Sequence, residues 1–130
     1  MGRPSHDRGR AAEDAAREAL SAAGFQVIES NYRVTGAELD VVCRDDEGLV
    51  FAEVRGRGPG ALEAGASIDG RKFRLLMRGA RAWLVRHQQQ HCAWRFVVVA
   101  VGLDDDGTPV ATEIIEDPFA HLPEYHHGDP

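Results

Sequence analysis

Several features that would assign the chain to a class at once are missing from its sequence. No stretch approaches the roughly 18 apolar residues that a membrane-spanning helix needs, and the longest apolar stretch, residues 96–102, fits a buried strand. Charged side chains interrupt the first 24 residues throughout, which is atypical of a secretory signal. We therefore predict no membrane partner and a cytoplasmic location.

Cysteine and lysine are both scarce. The two cysteines, Cys43 and Cys92, lie in separate apolar segments and lack the spacing of a metal site. In a chain without an export signal, two such thiols are predicted to stay reduced in the core rather than form a disulfide. Lysine occurs once, at Lys72, so arginine supplies nearly all of the positive charge.

The size and charge of the chain allow one domain with an uneven surface. Its 130 residues, 43% of them hydrophobic, suit a single modest core. The net charge is −6, but residues 55–95 carry +7 while the segments before and after carry −5 and −8. This basic middle is compatible with a polyanionic partner despite the acidic total.

The periodicity of apolar residues predicts an α/β domain with the order helix, three strands, helix, two strands. Helices are expected over residues 10–23 and 68–87. Strands are expected over residues 25–29, 38–44, 49–55, 94–101 and 110–115, the last of them at an edge of the sheet. A hairpin turn is predicted at residues 45–48 and a glycine-rich loop at residues 56–67.

The predicted hairpin brings two acidic residues together. Residues of its two strands should pair when their numbers add up to about 93, so Asp40 faces Glu53 with Cβ atoms roughly 5 Å apart. Like charges destabilise such a pair, whereas a hard cation such as Mg²⁺ binds both carboxylates. Arg55 should lie on the same face, and two acids with one base suit metal-assisted attack on a phosphodiester. The alternative is a pair of solvated acids on an exposed face of the sheet.

These residues resemble a known signature. Asp40 followed by Glu53-Val54-Arg55 resembles the Asp and Glu-x-Lys signature of restriction endonucleases, and the wider pattern resembles the YraN-like family of small bacterial proteins. The matching segments are residues 9–13, 31–33, 36–40, 49–55 and 95–96. The resemblance implies a restriction-endonuclease-like fold, in which α-helices flank a mixed β-sheet, similar to the archaeal Holliday-junction resolvases.

The same resemblance implies a Mg²⁺- or Mn²⁺-dependent nuclease, with branched or structured DNA as a candidate substrate. Asp40 and Glu53 would bind the metal, and the carbonyl oxygen of Val54 would be a further ligand. Glu13, on the first helix, would serve as an outer acid. Because branched-DNA nucleases of related fold are commonly dimers, a homodimer is a further expectation.

Two positions depart from the family pattern. Arg55 replaces the usual lysine; it can clamp a phosphate, but it cannot lose its proton as a buried lysine can. Val97 replaces the acid that usually follows Arg-Phe. Both departures favour an alternative function, a catalytically impaired nucleic-acid-binding module that keeps the nuclease fold. Lys72 is a candidate substitute for the missing lysine, although family members often carry a basic residue there.

The second predicted helix carries a stripe of positive charge about 15 Å long. Its arginines recur at intervals of 3, 4 and 3 residues, which places them on one side of a helix. We predict that this stripe binds a nucleic-acid backbone, together with Lys72 and with a further arginine in the preceding loop. The alternative is a solvated face that keeps the protein soluble. The stripe consists of Arg71, Arg74, Arg78 and Arg81, and the loop residue is Arg57.

The C-terminal part of the sequence is acidic. Residues 96–130 contain eight acidic residues and neither lysine nor arginine. Residues 1–117 are predicted to form the domain, and the proline-rich residues 118–130 a flexible acidic tail. A third possible function follows, that of a small interaction protein whose acidic segment meets a basic partner or shields the domain from polyanions.

Overall fold

A computed structural model of the protein describes residues 5–58, 69–120 and 122, with side chains from Gly9 onward. It contains two helices, α1 (Ser5–Ala22) and α2 (Gly70–Arg86). The five strands are β1 (Gln26–Val34), β2 (Ala37–Asp45), β3 (Gly48–Arg57), β4 (Trp94–Leu103) and β5 (Pro109–Glu116). The predicted α/β class and the predicted order of elements are confirmed.

The strands form one mixed sheet in the order β1-β2-β3-β4-β5. The β3–β4 pair is parallel, and the other three pairs are antiparallel. A parallel pair needs a long crossover, and the chain between β3 and β4 contains α2. β5 is an edge strand, as predicted.

β1 and β3 are longer than their periodicity predicted. β1 continues to Val34 because it pairs with β2 as far as Ala37. A register shift after Val27 and a positive φ of 56° at Asn31 interrupt its alternation, so the sequence pattern ends early. β3 continues to Arg57, which places this arginine in a strand rather than in the predicted loop. Residues 59–68 of that loop lie outside the described residues.

Each face of the sheet is covered by one helix. α2 packs with Phe51, Phe96 and Val98 in a core that we call the α2-side core. α1 packs with Val50, Val97 and other apolar residues in the α1-side core. Alternate residues of β3 therefore contact opposite helices, as expected for a strand buried on both faces.

Two glycines bring the helices close to the ends of β2 and β3. A Cβ atom on Gly56 would lie 3.3 Å from the Cβ of Ala12 in α1. A Cβ atom on Gly79 of α2 would lie 3.1 Å from the side chain of Leu39. Since Ala12 precedes Glu13 and Leu39 precedes Asp40, these contacts fix where two of the predicted site residues lie.

Packing continues beyond the predicted domain boundary at residue 117. Phe119 and Leu122 are buried in the α2-side core, where Phe119 contacts the rings of Phe73 and Phe96. The predicted flexible tail therefore includes neither Phe119 nor Leu122, and residues 121 and 123–130 lie outside the described residues. In the described ranges, neither helix is long and apolar enough to cross a membrane. Both cysteines are free thiols, and Cys43 is buried.

Candidate metal and nucleic-acid site

Asp40 and Glu53 lie where the β2–β3 ladder ends. The ladder runs from Asp45↔Gly48 to Val41↔Ala52 in the predicted register, and the two acids occupy the next position. There Asp40 Oδ2 accepts a hydrogen bond from the backbone N–H of Val54 at 2.8 Å. A side chain thus replaces a backbone acceptor at the point where the two strands separate.

The alternation of faces also breaks at Asp40. Leu39 packs in the α2-side core, whereas Val41, only two residues later, packs in the α1-side core. In a regular strand residues i and i+2 share a face. The pairing rule thus predicted the neighbour of Asp40 correctly, but the carboxylate is held at the end of the ladder rather than on a regular face.

The carboxyl groups of Asp40 and Glu53 lie within hydrogen-bonding reach of each other. Burial raises the pKa of Asp40 to about 7, the charge of Glu53 adds to this rise, and the hydrogen bond from Val54 opposes it. Glu53 is itself only 7% exposed. The site therefore concentrates negative charge where water screens it poorly, and a proton or a cation would relieve the repulsion.

Two basic side chains approach Glu53 from different elements. Lys72 Nζ, from α2, lies 3.2 Å from Glu53 Oε2, and Arg55 Nε, from β3, lies 3.9 Å from the same oxygen. Arg55 is on the face predicted for it. Its Nε is buried, and it has no hydrogen-bond partner in the described part of the chain. Lys72, which the sequence could not position, therefore makes the shorter ion pair.

Glu13 lies near the acid pair on α1. Burial raises the pKa of its carboxyl group, and the charge of Asp40 raises it further. A hydrogen bond with Asn31 has the opposite effect. Asn31 is a site residue that sequence reasoning missed, although it lies in a matching segment. Asn31 differs from the rest of β1 in its left-handed backbone conformation, which asparagine tolerates better than most residues.

A cleft of about 510 Å³ opens over the acid pair. This volume lies in the range of ordinary ligand sites, roughly 300–1,000 Å³. Three glycines lie along the cleft. The cleft is lined by Gly9, Glu13, Asp40, Glu53, Gly56 and Gly58, among others.

The donor set suits a hard divalent cation that keeps several waters. The two carboxylates and the predicted carbonyl donor of Val54 are oxygen ligands, and Mg²⁺ commonly takes only one or two protein carboxylates. Across the described ranges, no group of three or more His, Cys, Asp or Glu residues could hold a metal ion. The outer position of Glu13 stays a prediction.

The basic stripe of α2 begins beside the acid pair. All four of its arginines are exposed, and Arg78 Nη1 also lies 3.4 Å from the carbonyl oxygen of Thr35. Lys72 is adjacent to Arg71 but turns inward to Glu53. Arg57, at the end of β3, donates to the carbonyl oxygen of Gly56 beside the cleft. Of the predicted nucleic-acid-binding residues, Lys72 therefore contacts the acid pair directly, and Arg57 lies beside a residue that lines the cleft.

Comparison with known proteins relates most of the chain to one family. Residues 12–101 match the family described as Uncharacterised protein family UPF0102. A UPF0102 protein of Dechloromonas aromatica is 41% identical over 93 residues, which cover 71% of this chain and 78% of that protein. One from Halorhodospira halophila is 44% identical over 95 residues, 72% and 75% of the two chains. One from Frankia casuarinae is 38% identical over 112 residues, 85% and 94% of the two chains.

Proposed function

The chain belongs to the protein family UPF0102, as its YraN-like motifs indicated, and from the geometry of its site we propose that it is a divalent-metal-dependent nuclease. One observation carries the proposal. Asp40 and Glu53, both largely withdrawn from water, meet at the end of two strands under an open cleft. Such a pair opposes folding, so binding of a cation is the simplest physical reason for it.

Each residue of the site has a role in this proposal. Asp40 and Glu53 hold Mg²⁺ or Mn²⁺, with the Val54 carbonyl as a further donor. The ion, when bound, stabilises charge that develops on the phosphate and makes a nearby water more acidic. The N–H of Val54 orients Asp40. Arg55 adds positive charge beside Glu53, and Glu13 supplies an outer carboxyl group whose pKa the charge of Asp40 raises.

The surface of α2 favours nucleic acid as the substrate, and DNA is the nucleic acid that we expect. Four exposed arginines span about 15 Å along the helix, and B-DNA carries one negative charge per roughly 1.7 Å of its axis. The helix sequence contains no acidic residue, so all of its charged side chains are basic. A substrate backbone lying along the stripe would reach Lys72, which contacts Glu53 of the acid pair. The substrate's structure and a homodimer remain predictions.

The experiment is a cleavage assay on branched and linear DNA with Mg²⁺ or Mn²⁺. We expect the parent chain to cleave, and the Asp40→Asn and Glu53→Gln variants to fall to background. Asp46→Asn is the matched control, because it removes an exposed carboxylate from the turn at the other end of β2. Calorimetric titration with Mn²⁺ should show binding to the parent and the control only. Equal cleavage by all four proteins would indicate a contaminant and defeat the proposal.

A second candidate function is the catalytically impaired binding module. It is favoured by Arg55, which cannot act as a proton acceptor, and by Val97, which is fully buried in the α1-side core where the family usually has an acid. Salt-sensitive DNA binding by the parent, without cleavage in either metal, would establish this function and exclude the nuclease.

A further inference from the structure

We propose that Lys72, rather than Arg55, is the residue that places a positive charge on the substrate phosphate, and that it leaves Glu53 when a divalent cation binds there. This inference rests on the proposed nuclease function and deepens it. The sequence signature would assign this role to a residue of β3, whereas we assign it to a residue of α2.

The start of α2 fixes where Lys72 lies. Asp69 caps the helix, and its Oδ1 accepts a hydrogen bond from the backbone N–H of Lys72 at 2.9 Å. The next residue, Phe73, is buried in the α2-side core. Anchored on both sides, Lys72 directs its side chain to Glu53, whereas the preceding Arg71 is exposed.

The two basic side chains differ in how freely they can reach a substrate. The Lys72 side chain is 38% exposed, while that of Arg55 is 22% exposed. The Nε of Arg55 is buried, although it has no hydrogen-bond partner among the described residues, and this burial restricts the movement of its planar group. A lysine ammonium is a compact charge on a flexible stem, so it can move from a carboxylate to a phosphate. Lys72 also lines a second cleft with Arg33 and Leu75, so solvent reaches it from that side.

Lys72 and a divalent cation would compete for the same oxygen. Lys72 Nζ is 3.2 Å from Glu53 Oε2, one of the oxygens proposed to hold the metal. The positive charge of Lys72 therefore opposes metal binding at close range while it favours the approach of a phosphate. These opposite effects separate the proposed role from a merely structural one, because a misfolded site would weaken both kinds of binding.

The test compares Lys72→Met with Arg86→Met, which removes one positive charge from the exposed last turn of the same helix, outside the arginine stripe. We expect Lys72→Met to bind Mn²⁺ roughly tenfold more tightly than the parent, as follows from removing a close positive charge, and to cleave DNA far more slowly. Arg86→Met should leave both the Mn²⁺ affinity and the cleavage rate unchanged. If Lys72→Met binds Mn²⁺ no more tightly, or cleaves as fast as the parent, Lys72 does not have this role.

A second measurement needs no variant. Because Lys72 is the sole lysine, an amine-selective acetylating reagent modifies only this side chain and the N-terminus, and peptide mass spectrometry separates the two. Bound DNA should protect Lys72 severalfold, and unchanged acetylation in saturated complex would overturn the inference. A parent that neither binds Mn²⁺ nor cleaves would instead defeat the proposed function. A parent that cleaves but leaves Lys72 unprotected would defeat only the role of Lys72.

Discussion

The two ends of the β2–β3 hairpin place aspartates of the same strand in opposite environments. At the turn, Asp45 accepts hydrogen bonds from Arg95 at 2.8 and 3.2 Å, and Arg95 also donates to Glu116. These bonds hold the pKa of Asp45 below its usual range. At the open end, burial and the charge of Glu53 raise the pKa of Asp40 to about 7.

The difference separates a structural cluster from the proposed metal site. Around Arg95, each acid has a basic partner, and the cluster ties β2, β4 and β5 together within the fold. In the described part of the chain, Asp40 forms no ion pair, and its hydrogen-bond donor is the neutral N–H of Val54. A charged group whose oppositely charged partner belongs to the fold stabilises the fold. A charged group without such a partner in the fold is available to a ligand.

The largest expected effect is on the pH dependence of stability, and it tests the contrast between Asp40 and Asp45. Because folding raises the pKa of Asp40 from 3.8 to about 7, the folded state binds the proton more tightly. The free energy of unfolding should therefore fall by about 2–4 kcal/mol as the pH rises from 4 to 8. Asp40→Asn, which can still accept from Val54, should remove most of this fall. Urea denaturation across the pH range measures it.

Asp45→Asn is the control for this prediction. The pKa of Asp45 is lowered, so the stability that this residue contributes is present above about pH 4 and is lost at lower pH. The variant should keep the fall between pH 4 and 8. If the curves of the parent and Asp40→Asn run parallel, the two aspartates do not differ as the structure indicates.

The meeting of Asp40 with Glu53 was predictable because one short turn determines it. Gly48 has a φ of 136°, and a Cβ atom there would lie 2.4 Å from the carbonyl oxygen of Ala93. A glycine-containing turn of fixed length sets the register of both strands, and every later pair follows by counting. The α/β class and the order of elements were also predictable, because they depend on local periodicity.

The rest of the site depends on contacts between elements distant in sequence. The distance from Lys72 to Glu53 depends on how α2 packs on the sheet, and no local pattern encodes that placement. The break in alternation at Asp40 arises where the strands separate, and Asn31 acts from a third strand. At the C-terminus, a proline-rich composition concealed Phe119, whose ring lies 4.7 Å from that of Phe73.

A smaller effect on stability is expected when a substitution breaks the cluster around Arg95. Arg95→Met removes the hydrogen bonds to both Asp45 and Glu116 and leaves two acids near each other. Because the Arg95 side chain is 28% exposed, we expect a loss of only about 1–2 kcal/mol in the free energy of unfolding at pH 7. Arg44→Met removes an exposed arginine beside the same turn and should change stability by less than about 0.5 kcal/mol. Equal losses in the two variants would mean that the cluster does not stabilise the fold.

The smallest expected effect comes from removing one of the two acids that bind Arg95, and it shows which acid contributes more. Glu116 is 54% exposed, so Glu116→Gln should cost only a few tenths of a kcal/mol in urea denaturation at pH 7, well below the loss in Arg95→Met. The reason is that Arg95 keeps both of its bonds to Asp45. A loss as large as that of Arg95→Met would show that the edge strand, rather than the turn, holds the guanidinium. Asp45 would then be less fully neutralised, and the contrast between the two ends of the hairpin would weaken.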